Sequence, residues 1–284
     1  MAELLKGKAA ADAITEDLKL RCTELKENGM IPCLAIVRVG EKADDVAYEK
    51  GAMKRCEKIG IEVRNFLLPE NASKAELLNV IEGVNRDPSI HGCLMFRPLK
   101  DKEAEREACA LLDSRKDVDA MTLTSLAGVF TGNGQGYPPC TAEAVIELLD
   151  YYKIPLEGKR VTVIGRSMVI GKPVSMLLQK RNATVTMCHT RTVDLPAACR
   201  NAEILVSAAG HAGTVNQSHV CEGQVVVDVG INLDEEGRLC GDVQFDEVKE
   251  IVSAISPVPG GVGSVTTAVL AKHVIEAAGK SRER

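Results

Sequence analysis

The segment Gly158–Pro173 has the residue types and spacing of a phosphate-binding turn. Val161–Ile164 is apolar and β-branched, as in a parallel strand that is buried on both faces. Gly165 follows at once, and Gly171 comes just before a helical pattern. Free N–H groups and the positive end of a helix would then face an anion. The spacing G-x-S-x-x-x-G differs from G-x-G-x-x-G, but its strand–turn–helix context predicts dinucleotide binding. A βαβ unit that binds no nucleotide is the alternative.

The residues after the next predicted strand indicate which dinucleotide binds. That strand, 183–188, begins about 20 residues after Gly165, where a Rossmann unit places the side chain that meets the adenosine ribose. His189, Thr190 and Arg191 follow it, with no carboxylate among them. Hydroxyl groups and a cation suit a ribose 2′-phosphate, so the sequence predicts NADP in preference to NAD. A fully solvated Arg191 would remove that preference.

Three other groups of residues could take part in chemistry. The segment Pro257–Gly263 contains three glycines between a strand and a helix, so its backbone could approach a ligand closely or could simply form a stiff connector. Asp117 and Asp119 could bind a donor-rich ring, although loop carboxylates are commonly just solvated. Tyr48 is one of four tyrosines, and such a residue more often lies at the edge of a core than in an active site.

The composition excludes several classes of function. The net charge of −5, the 3% aromatic content and the absence of tryptophan disfavour binding to nucleic acid. No apolar run approaches the ~20 residues of a membrane span, and the N-terminus does not resemble a signal peptide. Ten cysteines without a C-x-x-C pair and five histidines without ligand spacing predict neither a metal site nor a disulfide framework. We therefore expect a soluble, cytoplasmic protein.

Hydrophobic periodicity predicts alternating strands and helices along the chain, which is typical of parallel sheets covered by helices. The length of 284 residues suggests two domains. The fold class is therefore α/β, with two α/β domains, a cleft between them, and a Rossmann-type C-terminal domain. Residues 117–139 are predicted to be irregular. The predicted strands are 33–39, 62–68, 92–96, 161–164, 183–188, 203–209, 224–230 and 254–255, and the predicted helices are 8–27, 45–59, 74–85, 102–112, 142–152, 173–178, 245–252 and 266–278.

Several short motifs, taken in their order along the chain, are together specific enough to indicate a protein family. They are Val37–Gly40, Tyr48, Gly60–Ile61, Lys116–Asp119, Pro139–Thr141, Val163–Ser167, Gly171–Pro173, Ala183–Thr186, Ile204–Gly210, Asp228–Asn232, Gly241–Val243 and Pro257–Gly263. Together they resemble the methylenetetrahydrofolate dehydrogenase/cyclohydrolase family, often called FolD, over nearly the whole chain.

The resemblance implies a tetrahydrofolate derivative as substrate, NADP as cofactor and a homodimer formed through the C-terminal domain. It implies a folate-binding catalytic domain of residues 1–141, joined by the C-terminal helix 266–284, and an NADP-binding domain of residues 142–265. Tyr48 and Asp119 would be catalytic, Tyr48 flanking the pterin and Asp119 binding its amino-pyrimidine edge. The implied substrate contacts are Tyr48, Phe96, Asp119, Pro259, Gly260, Gly261 and Gly263, and the implied cofactor contacts are Gly165, Arg166, Ser167, Gly171, His189, Thr190 (usually serine), Arg191 and Ile231.

Several positions depart from the family pattern. A lysine normally stands four residues after the tyrosine, and a glutamine two residues before the Pro-Leu pair that follows the third strand. Ala52 and Phe96 occupy these positions. Asp45 replaces a serine, Ala120 a glycine and Ser264 a proline.

These departures bear on two reactions. Hydride transfer from a methylene-bridged folate to a nicotinamide needs alignment and moves no proton. Hydrolysis of the methenyl product needs an activated water and proton transfer, for which the lysine is the family's tool. The sequence therefore predicts a dehydrogenase whose cyclohydrolase activity is weak or lost. The alternatives are a bifunctional enzyme with a substituted water-activating group, and a non-catalytic paralogue that binds NADP or a folate-like ligand.

Overall fold

A computed structural model describes residues 2–282, and the chain divides into two α/β units. One unit contains the N-terminal residues to Ala11 together with Thr141–Thr266, and we call it the six-stranded unit. The other contains Asp12–Cys140 together with the chain from Thr267 onward, and we call it the three-stranded unit. Two α/β units with parallel sheets confirm the predicted fold class.

The elements alternate along most of the chain. The strands are β1 (Glu3–Leu4), β2 (Cys33–Val39), β3 (Glu62–Leu68), β4 (Gly92–Met95), β5 (Arg160–Ile164), β6 (Thr184–Cys188), β7 (Ile204–Ser207), β8 (Val225–Asp228), β9 (Asn232–Leu233), β10 (Leu239–Cys240) and β11 (Ala254–Ile255). The helices are α1 (Gly7–Glu27), α2 (Ala43–Ile59), α3 (Lys74–Arg86), α4 (Lys102–Leu111), α5 (Leu123–Thr131), α6 (Cys140–Tyr151), α7 (Gly171–Lys180), α8 (Leu195–Arg200), α9 (Phe245–Val248) and α10 (Thr266–Arg282).

The large sheet of the six-stranded unit is parallel, with strand order β1-β11-β8-β7-β5-β6. β5 lies between β6 and β7, so the connections leave it in opposite directions. In an open parallel sheet, ligands bind beyond the carboxyl ends of the strands at such a switch point. A separate antiparallel hairpin joins β9 to β10.

The first strand changes the predicted domain division. Residues 1–141 were assigned to one domain, but Glu3 and Leu4 pair with Ala254 and Ile255 in the large sheet. The residues up to Ala11 therefore belong with the six-stranded unit. A strand of two residues is too short to show the alternation from which strands are predicted.

The sheet of the three-stranded unit has the order β3-β2-β4 and is also parallel. β2 is central, and every residue from Cys33 to Arg38 is buried. Its core packs β2 and β4 against α3 and α4, through residues such as Ala35, Ile81, Cys93 and Ala108. Thr267–Arg282 of α10 belongs to this unit.

Helix α5 lies inside the segment that was predicted to be irregular. The Thr122 side chain accepts a hydrogen bond from the Ser125 N–H (3.2 Å), and Gly132 ends the helix with φ +68°. A threonine that caps the first turn and a glycine with positive φ after the last turn are common at the two ends of helices. Leu123 and Phe130 are 85% and 76% exposed, so the apolar residues of this helix do not mark a buried face, and periodicity failed to indicate it.

No helix within residues 2–282 combines the length and the apolar character needed to cross a membrane. All ten cysteines are free thiols.

Candidate functional site

The turn after β5 brings four predicted cofactor residues together. Gly165 has φ +114°, and a Cβ atom on it would collide with the carbonyl oxygen of Ala208, the residue after β7. A Cβ atom on Gly171 would collide with the carbonyl oxygen of Gly165. Glycine is therefore required at both positions, at the switch point of the sheet. Arg166 and Ser167 lie between these glycines and are exposed.

Helix α7 begins at this turn without a side-chain cap. The Ser167 hydroxyl accepts a hydrogen bond from the Ile170 N–H (3.1 Å), and no side chain caps the helix at Ile170. Pro173 lies in the first turn, where a missing N–H does no harm. The positive end of α7 therefore remains suited to an anion, and the glycine turn fits a dinucleotide phosphate.

The segment after β6 has a fixed backbone and exposed side chains. The His189 N–H donates to Thr192 Oγ1 (2.8 Å), and the Arg191 N–H donates to His189 Nδ1 (3.1 Å). Thr190 and Arg191 are exposed. Because β6 is the direct neighbour of β5, this segment and the Gly165 turn lie at the same edge of the sheet. His189 serves the backbone of the turn, which leaves Thr190 and Arg191 as the side chains that could meet a ribose phosphate.

Two buried carboxylates, which we did not predict as site residues, organise the loops after β7 and β8. Asp242 accepts hydrogen bonds from the N–H groups of Ala209 (2.7 Å) and His211 (3.0 Å). Asp228 accepts them from Gly230, Asp242 and Val243, at 2.9 to 3.0 Å. Burial raises the pKa of Asp228 to about 6. Ile231 follows this network and is 70% exposed, so it presents an apolar side chain beside the loops.

The loop Pro259–Gly263 belongs to the six-stranded unit. Gly260 has φ +101°, and its carbonyl accepts a hydrogen bond from the Gly7 N–H (2.8 Å). A Cβ atom on Gly7 would collide with the Gly261 carbonyl. Pro259, Gly260 and Gly263 are exposed, whereas Gly261 is buried. The start of α1 therefore fixes this loop, and three of its four predicted residues are accessible to a ligand.

In the three-stranded unit the predicted substrate residues follow strand ends or lie on α2. Tyr48 is half-buried on α2, and Phe96 follows β4. Their ring centroids are 6.0 Å apart at an interplanar angle of 81°, which is a favourable edge-to-face contact. The Phe96 N–H donates to the Val37 carbonyl (3.0 Å) and Phe96 is 9% exposed. Phe96 therefore packs against Tyr48.

Ala52 lies one helical turn after Tyr48 and is completely buried. It belongs to a buried stripe of α2 that also contains Glu49, Cys56 and Ile59. The position where the family resemblance places a lysine is thus packed inside the three-stranded unit. Lys50 and Lys54, which flank it, are exposed.

A buried ion pair, which we did not predict, joins α2 to β2. Arg38 and Glu49 are 7% and 6% exposed, and Arg38 Nε lies 2.5 Å from Glu49 Oε2. Arg38 also donates to the Gly40 carbonyl, and Asn65 Nδ2 lies 3.5 Å from Glu49 Oε1. The pair therefore fixes the residue next to Tyr48 against the end of β2.

The two acids of the Lys-Asp-Val-Asp motif have different surroundings. Asp117 is fully buried and accepts hydrogen bonds from the N–H groups of Met121 (2.9 Å) and Thr122 (2.7 Å). Asp119 is half-buried and its Oδ1 accepts one from the Cys140 N–H (2.8 Å). Burial raises the pKa of Asp119, and the Cys140 N–H opposes that rise. Asp117 thus shapes the loop, and Asp119 is the acid that could reach a ligand.

A cavity of about 320 Å³ lies at the carboxyl ends of β2, β3 and β4. Its lining includes Gly40, Asp45, Glu70 and Pro98. Burial raises the pKa of Asp45. Within residues 2–282 no group of three or more His, Cys, Asp or Glu side chains could hold a metal ion.

Two family models match the chain. The catalytic-domain model of tetrahydrofolate dehydrogenase/cyclohydrolase matches residues 5–119, and the NAD(P)-binding-domain model of the same family matches residues 139–282. The chain is 52% identical over 279 residues to a protein of Carboxydothermus hydrogenoformans named bifunctional protein FolD, which covers 98% of this chain and 97% of that relative.

Solved structures agree over the full length. The bifunctional enzyme FolD from Campylobacter jejuni is 39% identical with a TM-score of 0.94, and the match covers 99% of each chain. The FolD enzyme of Trypanosoma brucei, solved with NADP and an inhibitor, is 31% identical with a TM-score of 0.93, covering 100% of this chain and 99% of that one.

The buried ion pair leads to a stability prediction. Arg38→Met leaves the Glu49 carboxylate buried without its cation, so we expect the free energy of unfolding to fall by about 3 to 5 kcal/mol. Arg38→Met combined with Glu49→Leu removes both charges and should recover most of that loss. Urea unfolding followed by circular dichroism measures each variant. In the exposed pair of Arg86 and Glu82, Arg86→Met should change stability by less than ~1 kcal/mol. A double variant as unstable as the single one would contradict the prediction.

Proposed function

The chain belongs to the tetrahydrofolate dehydrogenase/cyclohydrolase family, and we propose that it is a 5,10-methylenetetrahydrofolate dehydrogenase that uses NADP and has weak or no cyclohydrolase activity. One observation supports the proposal that the cyclohydrolase activity is weak or absent. Ala52 is fully buried, and Phe96 packs edge-on against Tyr48. The two positions that would carry polar side chains for proton transfer instead form an apolar wall beside Tyr48.

Hydride transfer fits these residues, because it demands alignment and no acid or base. We propose that the Tyr48 ring flanks the pterin and that Asp119 accepts hydrogen bonds from its amino-pyrimidine edge. The Gly165–Gly171 turn would hold the dinucleotide phosphates, and Thr190 and Arg191 would meet the ribose 2′-phosphate. When bound, NADP supplies the hydride acceptor. The loop Pro259–Gly263 would contact the folate through exposed backbone.

Hydrolysis of the methenyl product requires a side chain that transfers a proton. General acid–base help is typically worth 10²- to 10⁴-fold, or about 3 to 5 kcal/mol of barrier. Lys50 and Lys54 are exposed on other faces of α2. Glu49 is engaged by Arg38 and Asn65. Neither the flanking lysines nor this carboxylate is placed as a replacement for the missing lysine.

A bifunctional enzyme is the second candidate. It is supported by the names of the relatives, since the protein of Carboxydothermus hydrogenoformans and the enzyme of Campylobacter jejuni are both called bifunctional. This function would require another group in the chain to activate water.

The activity prediction separates the two candidates. Purified protein with 5,10-methylenetetrahydrofolate should reduce NADP faster than NAD, as followed by absorbance at about 340 nm. Because the proton-transfer lysine is missing, enzyme-dependent decay of methenyltetrahydrofolate should be at least ~100-fold slower than in a family member with a lysine at this position.

The controls are a buffer blank and the exposed-lysine variants Lys50→Ala and Lys54→Ala. Fast hydrolysis by the unaltered protein would favour the bifunctional enzyme, and its loss in either variant would identify the replacement group. No reduction of either dinucleotide would contradict the dehydrogenase.

Asp119 gives a pH prediction. The ionised Asp119 carboxylate accepts hydrogen bonds through both oxygens and more strongly than the protonated acid, in which one oxygen becomes a donor. Burial raises the pKa of Asp119. The KM for the folate should therefore rise as the pH falls through that raised pKa, beginning above the ordinary value of about 3.9. Asp119→Asn should remove this acid limb and raise the KM about tenfold at neutral pH, since a hydrogen bond to a charged group is worth about 1.5 to 3 kcal/mol. An unchanged profile in this variant would contradict the role, and the KM for NADP serves as the control.

We also infer a homodimer and a cytoplasmic location. The homodimer rests on the resemblance to the family, and sedimentation velocity should give twice the chain mass, whereas a single species of chain mass would contradict it. The cytoplasmic location is supported by ten free cysteines, which suit a reducing compartment. Cell fractionation tests it.

A further inference from the structure

The carbonyl of Val118 is the point where two distant parts of the chain meet the substrate loop. It lies 2.8 Å from His273 Nδ1 on α10 and 3.3 Å from Cys140 Sγ at the start of α6. A carbonyl oxygen can only accept, so His273 must carry its proton on Nδ1 and donate it. Val118 and His273 are 155 positions apart, and all three residues belong to the three-stranded unit.

The next residue in the loop is Asp119, and Cys140 also contacts its carboxylate. Its Oδ1 accepts the Cys140 N–H at 2.8 Å, while the Asp119 N–H lies 3.3 Å from Asp117 Oδ1. The peptide of Val118 and the side chain of Asp119 are therefore both fixed by groups outside residues 118–119. A shift of the Val118 carbonyl would rotate the backbone that carries the Asp119 carboxylate.

The His273 ring is well restrained. It is 1% exposed, and the Tyr137 ring covers it with centroids 4.9 Å apart at 35°. Lys280 Nζ lies 4.5 Å from the centroid of Tyr137. Because the Tyr137 ring covers the buried imidazole and limits its rotation, the Nδ1–H of His273 stays directed at the Val118 carbonyl.

We propose that His273 is a positioning residue for the substrate site, holding the Val118 carbonyl so that the Asp119 carboxylate keeps the orientation that binds the folate. This rests on the proposed role of Asp119. His273 acts through the loop and touches neither substrate nor cofactor. This role requires the hydrogen-bond donor of the His273 side chain as well as its volume.

The first experiment compares two variants of His273 with the unaltered protein by steady-state kinetics. His273→Leu fills the space without a donor and should raise the KM for 5,10-methylenetetrahydrofolate about tenfold, the loss of one buried hydrogen bond. The kcat and the KM for NADP should stay within about twofold. His273→Asn supplies an amide donor near the position of Nδ1 and should return the folate KM to within about threefold of the unaltered protein.

A matched control uses a second buried histidine of the same unit. His91 is 5% exposed and precedes β4, at the end of that strand opposite to Phe96. His91→Leu should leave the folate KM within about twofold. An equal rise in His91→Leu and His273→Leu would mean general loosening and would overturn the proposal, as would a His273→Asn variant as impaired as His273→Leu.

A second measurement does not depend on activity. Hydrogen–deuterium exchange of residues 117–122 and of the Cys140 amide should be faster in His273→Leu and near normal in His273→Asn. If the unaltered protein does not oxidise the folate, the proposed function fails, while exchange still decides whether His273 holds the loop. Unchanged exchange in His273→Leu would overturn the proposal.

If His273→Leu does not fold, Cys140→Ala provides the second variant. It removes the weaker donor to the same carbonyl and should speed exchange of residues 117–122 while raising the folate KM only about twofold. No change in exchange at this loop would count against the proposal.

Discussion

Parallel strand pairing is the constraint on which both units depend. It sends the carboxyl ends of neighbouring strands to one edge, so the segments that follow them meet without being close in sequence. Gly165 contacts the backbone after β7, and the segment His189–Arg191 follows the adjacent β6. In the other unit, Gly40 and Phe96 follow neighbouring strands. The residues that we propose for the dinucleotide and for the folate therefore follow the ends of neighbouring parallel strands in each unit.

One face of α2 differs from the pattern of the family, which places a lysine at the position of Ala52. Tyr48, Glu49 and Ala52 occupy neighbouring positions on that face. Ala52 and Phe96 stand where the family resemblance places a lysine and a glutamine, and the buried Arg38–Glu49 ion pair and the Tyr48–Phe96 contact lie beside them. Because a buried ion pair adds little net stability over an apolar pair, its main effect here is to fix the position of the helix. The same turn of helix therefore presents the ring of Tyr48 and carries no acid or base at position 52.

Short sequence patterns predicted the elements whose structure depends on neighbouring residues. Cys33–Val39 and Glu62–Leu68 were predicted to the residue, because continuous apolar or alternating runs determine strands, and the glycine turn after β5 follows from steric demands that only glycine meets. The Arg38–Glu49 pair and the contact of His273 with Val118 were not predicted, because their partners are separated by 11 and 155 positions and no periodicity records such pairs. The same limit applies to α5, in which Leu123 and Phe130 are exposed, and to β1, which is a strand only through its pairing with β11.

Each unit is built from both ends of the chain. The six-stranded unit includes residues before Asp12, and the three-stranded unit includes residues after Thr266. During synthesis the strands β2, β3 and β4 leave the ribosome well before the helix that carries His273. The loop of Asp119 therefore gains the His273 donor only after α10 has been made, and a ribosome-bound fragment that ends before α10 lacks this contact. The sheet of the three-stranded unit can therefore form during translation before α10 supplies the donor to the Val118 carbonyl.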